Sequence, residues 1–228
     1  MKLRISKTST RLAISFLLAT VAALPQTKSA LETNPKGWRD IMPDASFKGW
    51  TRVPIPPDAP LKPEESLWKL DPVHHIVICE GDKLGHEWLR YDKQQYSDAI
   101  FHVEFRFVPV DTPNPKYNSG VFVRNSKDGK IWYQGQATMA GGYLFGDNPV
   151  NGEIKRFTLV KQQKGQKVNP AGEWNTYELE AIGNKISLWV NGAVNSEFTE
   201  CGNPKGYVGL EAEGWRVEFR NVKVKDLK

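Results

Sequence analysis

The chain has 228 residues, with 31 Lys and Arg against 26 Asp and Glu and a formal charge of +5 at pH 7. The excess sits in the first thirty residues, where Lys2, Arg4, Lys7, Arg11 and Lys28 stand without an acid, so the rest of the chain is neutral. Neutrality removes the basic stripe that nucleic-acid binding needs, and the remaining length is one domain's worth of core.

The N-terminus is read as a targeting segment. A basic stretch precedes the apolar run Leu12 to Leu24, which is short for a membrane span and ends in the small residues of a cleavage site. Cleavage is expected after Ala23 in preference to Ala30. The protein is therefore expected to be periplasmic or secreted, with residues 1–30 as signal and linker and no membrane span once the signal is removed. Residues 31–65 hold Pro54, Pro56, Pro57, Pro60 and Pro63 and show no period. They are read as an extended arm wrapped on the domain, docked through Trp38 and Trp50.

From residue 66 to 228 the chain reads as a succession of strands. Ile76 to Cys79 is a buried run, and Trp88 to Tyr91 a second short strand. His74 and His75, beside the first of these runs, are assigned structural roles. Ala99, Phe101, Val103, Phe105 and Phe107 alternate with a more polar set that includes His102, Glu104 and Arg106. Those three either line a site or face solvent. Asn118 to Arg124 begins the next strand, and Ile131 to Thr138 puts Trp132, Gln134 and Gln136 on one face. Residues 139–173, rich in glycine, are read as a loop in which only Ile154 to Val160 is a strand. Trp174 is placed in the core, as is Trp215. A meander follows, turning at Gly183-Asn184 and Asn191-Gly192.

In the last hairpin Val208, Leu210 and Ala212 alternate with Gly209, Glu211 and Glu213, so the two carboxylates share a face roughly 6.6 Å apart along the strand. The phase slips before Val222, which predicts a bulge near Arg220-Asn221. No segment after the signal has a sustained helical period. The fold class is all-β, a jelly-roll sandwich of two antiparallel sheets. Cys79 and Cys201 are in no metal spacing, and either bridge the two ends of the domain or remain two buried thiols.

Several blocks in fixed order resemble the 3-keto-disaccharide hydrolase family: Asn118-Ser-Gly-Val-Phe-Val-Arg124, Tyr133-Gln-Gly-Gln136, Gly172-Glu-Trp-Asn175, Trp189-Val-Asn-Gly192, and Gly206 to Gly214 running into Phe219-Arg-Asn-Val222. The resemblance spans about residues 66 to 227. It implies a concanavalin A-like jelly roll and action on glycosides already oxidised to a ketone at sugar carbon 3, by elimination and hydration or by hydrolysis. Two positions depart from it: Gln134, where the family often has Glu, and Glu211, where it often has Gln.

A ketone at carbon 3 acidifies the proton on carbon 2, so the chemistry asks for a base and for a donor to the developing enolate. Glu213 is the expected base, Arg124 the enolate stabiliser and Glu211 the second acid-base group. Gln134, Gln136 and Trp132 are expected to hold the sugar, Tyr143 to stack on it and His102 to line the site. No organic cofactor is expected. His86-Glu87 is read as a loop pair without a third metal ligand, and no pattern supports Ca²⁺ at Asp147-Asn148, so no metal site is assigned and a metal requirement stays open. The partner is a carbohydrate, with the oligomeric state unspecified. The alternative is a carbohydrate-binding module without turnover. An ordinary glycosidase ranks last, because the Glu-x-Asp-x-Glu signature is absent and two carboxylates on one strand do not flank a bond from both sides.

Overall fold

Alternation of apolar and polar residues gives each strand one face for a common core. In a computed structural model the described residues are 26–62, 64–81, 86–139, 141–164 and 168–228, so the expected signal up to residue 25 lies outside them. After a single helical turn, α1 (Ala30–Thr33), come β1 (Trp38–Asp40), β2 (Trp50–Pro54), β3 (Trp68–Asp71), β4 (Ile76–Glu80), β5 (Glu87–Tyr91), β6 (Ala99–Phe107) and β7 (Asn118–Asn125). Then follow β8 (Trp132–Thr138), β9 (Gly141–Val150), β10 (Glu153–Thr158), β11 (Asn175–Ile182), β12 (Lys185–Val190), β13 (Ala193–Phe198), β14 (Tyr207–Glu213) and β15 (Arg216–Asp226).

One sheet runs β13-β12-β11-β6-β15-β4-β3, with β1 also paired to β15, and the other runs β10-β9-β8-β7-β14-β5-β2. Every pairing is antiparallel. Between the sheets Phe101, Val103, Phe105, Leu179, Leu188 and Phe219 meet Leu89, Val121, Tyr133, Leu144, Leu210 and Ala212, all buried in one cluster. This is the two-layer jelly roll of concanavalin A-like type. Burying branched and aromatic side chains at about 1.5–3 kcal/mol each is what drives the layers together.

The expected bulge is present: the β15 to β6 register shifts between Arg220 and Lys223, and Asn221 has φ 49°. Several expectations are corrected. The arm is more than a wrapping. It supplies β1 to one sheet and β2 to the other, and Trp50 is buried. Much of the segment read as a loop is the hairpin of β9 and β10. Its glycines serve close approach: a Cβ on Gly142 would run into the Tyr177 hydroxyl, and one on Gly146 into the Trp132 carbonyl.

Trp174 is not core. It lies partly exposed on an outer face, with the Arg106 and Arg220 guanidinium carbons 4.6 and 3.9 Å from its ring centre. Trp215 is half-buried against the core, edge-on to Tyr117. His74 and His75 sit in the exposed turn between β3 and β4, where His74 Nδ1 is 2.8 Å from Asp71. Cys79 and Cys201 are both buried, with no disulfide between them.

Tyr177 is wholly buried and its hydroxyl donates to the Gln136 carbonyl at 3.1 Å, so it cannot retreat. Gly142→Ala should therefore lower stability by about 1–3 kcal/mol through overpacking. Urea unfolding measures it, and an unchanged midpoint would refute this account of the β9 glycines.

Candidate functional site

The outer face of the second sheet is ordered by register into rows. Glu213 pairs with Asn118; Glu211 pairs with Gly120, which faces Gln136 and then Tyr143; Gly209 pairs with Phe122, which faces Gln134 and then Phe145. Leu210 and Ala212, pointing the other way into the core, fix the phase that turns both carboxylates outward. The side chains in these rows are bonded in a closed ring with His86, which immediately precedes β5.

His86 Nε2 lies 2.6 Å from Glu211 Oε1 and 3.3 Å from Glu213 Oε2. Gln134 Nε2 donates to Glu211 Oε2 and, at 2.8 Å, to Gln136 Oε1. Gln136 Nε2 donates to Asn118 Oδ1, and Asn118 Nδ2 donates to Glu213 Oε2 at 2.5 Å. Carboxylates accept at both ends, so the three amides must all point the same way round. Gly120 makes the crossing feasible, because a Cβ there would occupy the place of the Gln134 amide.

Glu211 is 2% exposed, whereas His86 and Glu213 are 36% and 37% exposed. Burial raises the Glu211 pKa, against the lowering effect of His86 and Gln134, and Glu213 adds to the rise. Burial works against the charged form of His86, yet Glu211 and Glu213 together outweigh it and raise its pKa. Both shifts favour one proton retained between imidazole and carboxylate. Tyr143 is shifted upward as well, by burial and then by the charge of Glu211.

His86, Glu211 and Glu213 offer three ligand atoms within 4.8 Å of one another. Two ligands on one small cation stand about 3.3 Å apart, so the 2.6 Å contact is a hydrogen bond. A divalent ion would require His86 to draw back.

Glu211, Glu213, Gln134 and Gln136 are thus brought together. Trp132 stands on the same face, its Nε1 bonded to Asp147 at 3.0 Å, and Tyr143 flanks Gln136 from β9 itself. Arg124 and His102 are elsewhere. Arg124 takes φ 53° beside the irregular pairing of Tyr207 and Gly209, which breaks the alternation that would have set it beyond Phe122. Its guanidinium, 1% exposed, donates to the Ser97 and Gly183 carbonyls and to Asp98. It joins loops at one end of the sandwich and has no access to the site. His102 is on β6 of the opposite sheet, buried against Glu178 at 2.8 Å.

The reading of sequence missed His86 and Asn118. Asn118 shares strand parity with Gly120 and Phe122, a signal that was available. Nothing local marks His86, whose partners are 125 and 127 residues away.

Residues 37–225 match the family model described as 3-keto-alpha-glucoside-1,2-lyase-like domain. No curated protein matches the chain. Among solved structures, a candidate glycosyl hydrolase of Parabacteroides distasonis superposes with TM-score 0.59 at 16% identity, covering 89% of this chain and 100% of that one. The carbohydrate-binding module CBM66 of Bacillus subtilis gives 0.56 at 14% identity, with coverage of 78% and 96%. LamAcat of Zobellia galactanivorans gives 0.52 at 11%, with coverage of 78% and 90%. At these identities the likeness is one of fold.

Two substitutions separate scaffold from site. Arg124→Met should cost about 3 kcal/mol, since each orphaned buried acceptor costs ~1–3 kcal/mol; an unchanged melting temperature would contradict a structural role. Gly120→Ala should push the Gln134 amide off Glu211 and, by leaving that buried carboxylate one partner short, lower the melting temperature. The downfield amide proton of Gln134, followed by NMR, should move, and a fixed resonance would show that the glycine does not hold this contact.

Proposed function

The chain belongs to the 3-keto-alpha-glucoside-1,2-lyase-like family, and from that membership we propose that it is an exported enzyme cleaving glycosides oxidised to a ketone at sugar carbon 3. Supporting the reading is one observation: a hydrogen-bonded His86–Glu211 pair and the more exposed carboxylate of Glu213 meet on the floor of one open face. Export rests on the basic and apolar pattern of residues 1–30.

Glu213 takes the proton from carbon 2. The electron pair of that bond moves towards carbon 3 and places negative charge on the ketone oxygen, where protonated His86 donates to it. Collapse of the enolate restores the ketone, forms the double bond between carbons 1 and 2, and expels the group on carbon 1, whose oxygen takes the proton that Glu213 removed from carbon 2. Addition of water to that double bond gives the free keto-sugar. Glu211 is the orienting group: its buried carboxylate holds the imidazole and keeps it charged. Gln136 and Asn118 fix Glu213 and present amides to the sugar hydroxyls. His86 replaces Arg124 as the cationic partner.

Glu213→Gln should lower kcat on a 3-keto glucoside by about 10²–10⁴-fold with unaltered melting. Saturable binding with no product from the unmodified protein would make the chain a binding module instead. The donor is lost as pH rises through the His86 pKa. Because that pKa is raised, kcat/KM should hold past the ordinary imidazole value of about 6.5 and fall above it, and His86→Gln should abolish that limb. A limb that persists in His86→Gln belongs to another group.

A further inference from the structure

The polar ring fills one end of the site face. Beside it opens a cavity of about 470 Å³ that His86, Gln134 and Glu211 line on their side, within the ~300–1,000 Å³ usual for small ligands. We infer that this cavity receives an aromatic group carried on carbon 1, so that the substrates are aryl glycosides in preference to disaccharides; the inference rests on the reaction class proposed above.

Three neighbouring strands change character in one direction. Along β7 Asn118 gives way to Phe122, along β8 Gln136 and Gln134 to Trp132, and along β9 Tyr143 to Phe145. Beyond Glu211, Trp88 leans across Gly209, where a Cβ would strike its ring. Ile55, Pro56 and Pro57 of the arm close the far wall, and exposed Ile154 forms a lip. The rings meet edge to face, Trp132 on Phe145 at 4.8 Å and 87° and Phe122 on Trp132 at 6.1 Å and 79°. Another ring would extend that packing.

A second sugar is poorly served there. Each hydroxyl it buried would need a partner, and Asp147 and Asn125 of this wall are already engaged. Asp147 accepts from Trp132 Nε1 and from Arg156, and Asn125 Oδ1 accepts from the Tyr133 N–H. Asp58 and Lys130 are exposed. The leaving group points the same way. A phenol ionises near pH 10, as tyrosine does, and departs as phenolate without a donor. A sugar alkoxide is far more basic, so its departure depends on the proton that Glu213 has taken up, whereas a phenolate leaves without one.

The test uses the purified chain with 3-keto phenyl glucoside and a 3-keto disaccharide of the same anomeric configuration. We expect kcat/KM at least tenfold higher for the aryl compound, and Phe145→Ser and Ile154→Ser each to shrink that ratio about tenfold. An equal or reversed preference overturns the inference. Ordinary phenyl glucoside and the ordinary disaccharide, neither bearing a ketone, are then titrated by tryptophan fluorescence. Tenfold tighter aryl binding, lost in Phe145→Ser, upholds the aromatic pocket even where no keto-sugar is turned over. Equal affinities overturn the pocket and leave the reaction class standing on its own test.

Discussion

A carboxylate withdrawn from water on an otherwise open sheet face is the constraint around which this site is built. An ionised group that is buried and unpaired costs several kcal/mol, so Glu211 can sit at 2% exposure only because His86 and Gln134 meet its two oxygens. Each of those contacts recruits the next. Gln134 reaches Glu211 by lying over Gly120, and its remaining donor fixes Gln136. Gln136 fixes Asn118, and Asn118 fixes Glu213. A burial requirement at one position thus propagates into the orientation of five neighbours, including the one carboxylate left exposed enough to meet a substrate.

The same chain of dependence explains what could be read without coordinates. Glu211 and Glu213 were legible because Leu210 and Ala212 alternate with them, and a one-residue slip would turn the core residues outward. β6 and the bulge at Asn221 were legible for the same reason. Arg124 was misplaced by that very rule, since a single residue at positive φ reversed its side and nothing in its type announced it. In β9 the glycines read as turn residues, whereas Gly142 and Gly146 make room for Tyr177 and for the Trp132 carbonyl, needs created by a facing element and invisible along the strand. His86 was hidden because its meaning lies in a pairing across more than a hundred residues. Gln134 and Glu211 had stood out as separate departures from the family pattern. They are one contact, in which an amide donates to an acid across adjoining rows.

The opposite sheet offers an instructive contrast, since its outer face also carries a histidine among carboxylates. Burial disfavours the charged form of His102, but Glu104 and Glu178 outweigh it and raise its pKa. Burial likewise opposes ionisation of Glu104, yet His102, Asn221 and Arg220 draw its pKa down to about 2. By composition alone this cluster is as good a candidate for acid-base work as the one on β14. Its surroundings decide otherwise. Glu178 accepts the backbone N–H groups of Ala30 and Leu31 at 2.6 and 3.0 Å, Trp38 stands edge-on to the imidazole at 5.9 Å, and Arg220 is held between Glu104 and the Trp174 ring. The N-terminal segment therefore lies over these groups, and their charges fasten it to the sheet. On the other face the arm passes beside the carboxylates and walls a cavity, leaving the His86–Glu211 pair within reach of a ligand. The same residue types thus serve as a fastening on one layer and as candidate catalytic groups on the other, according to what residues 26–62 cover.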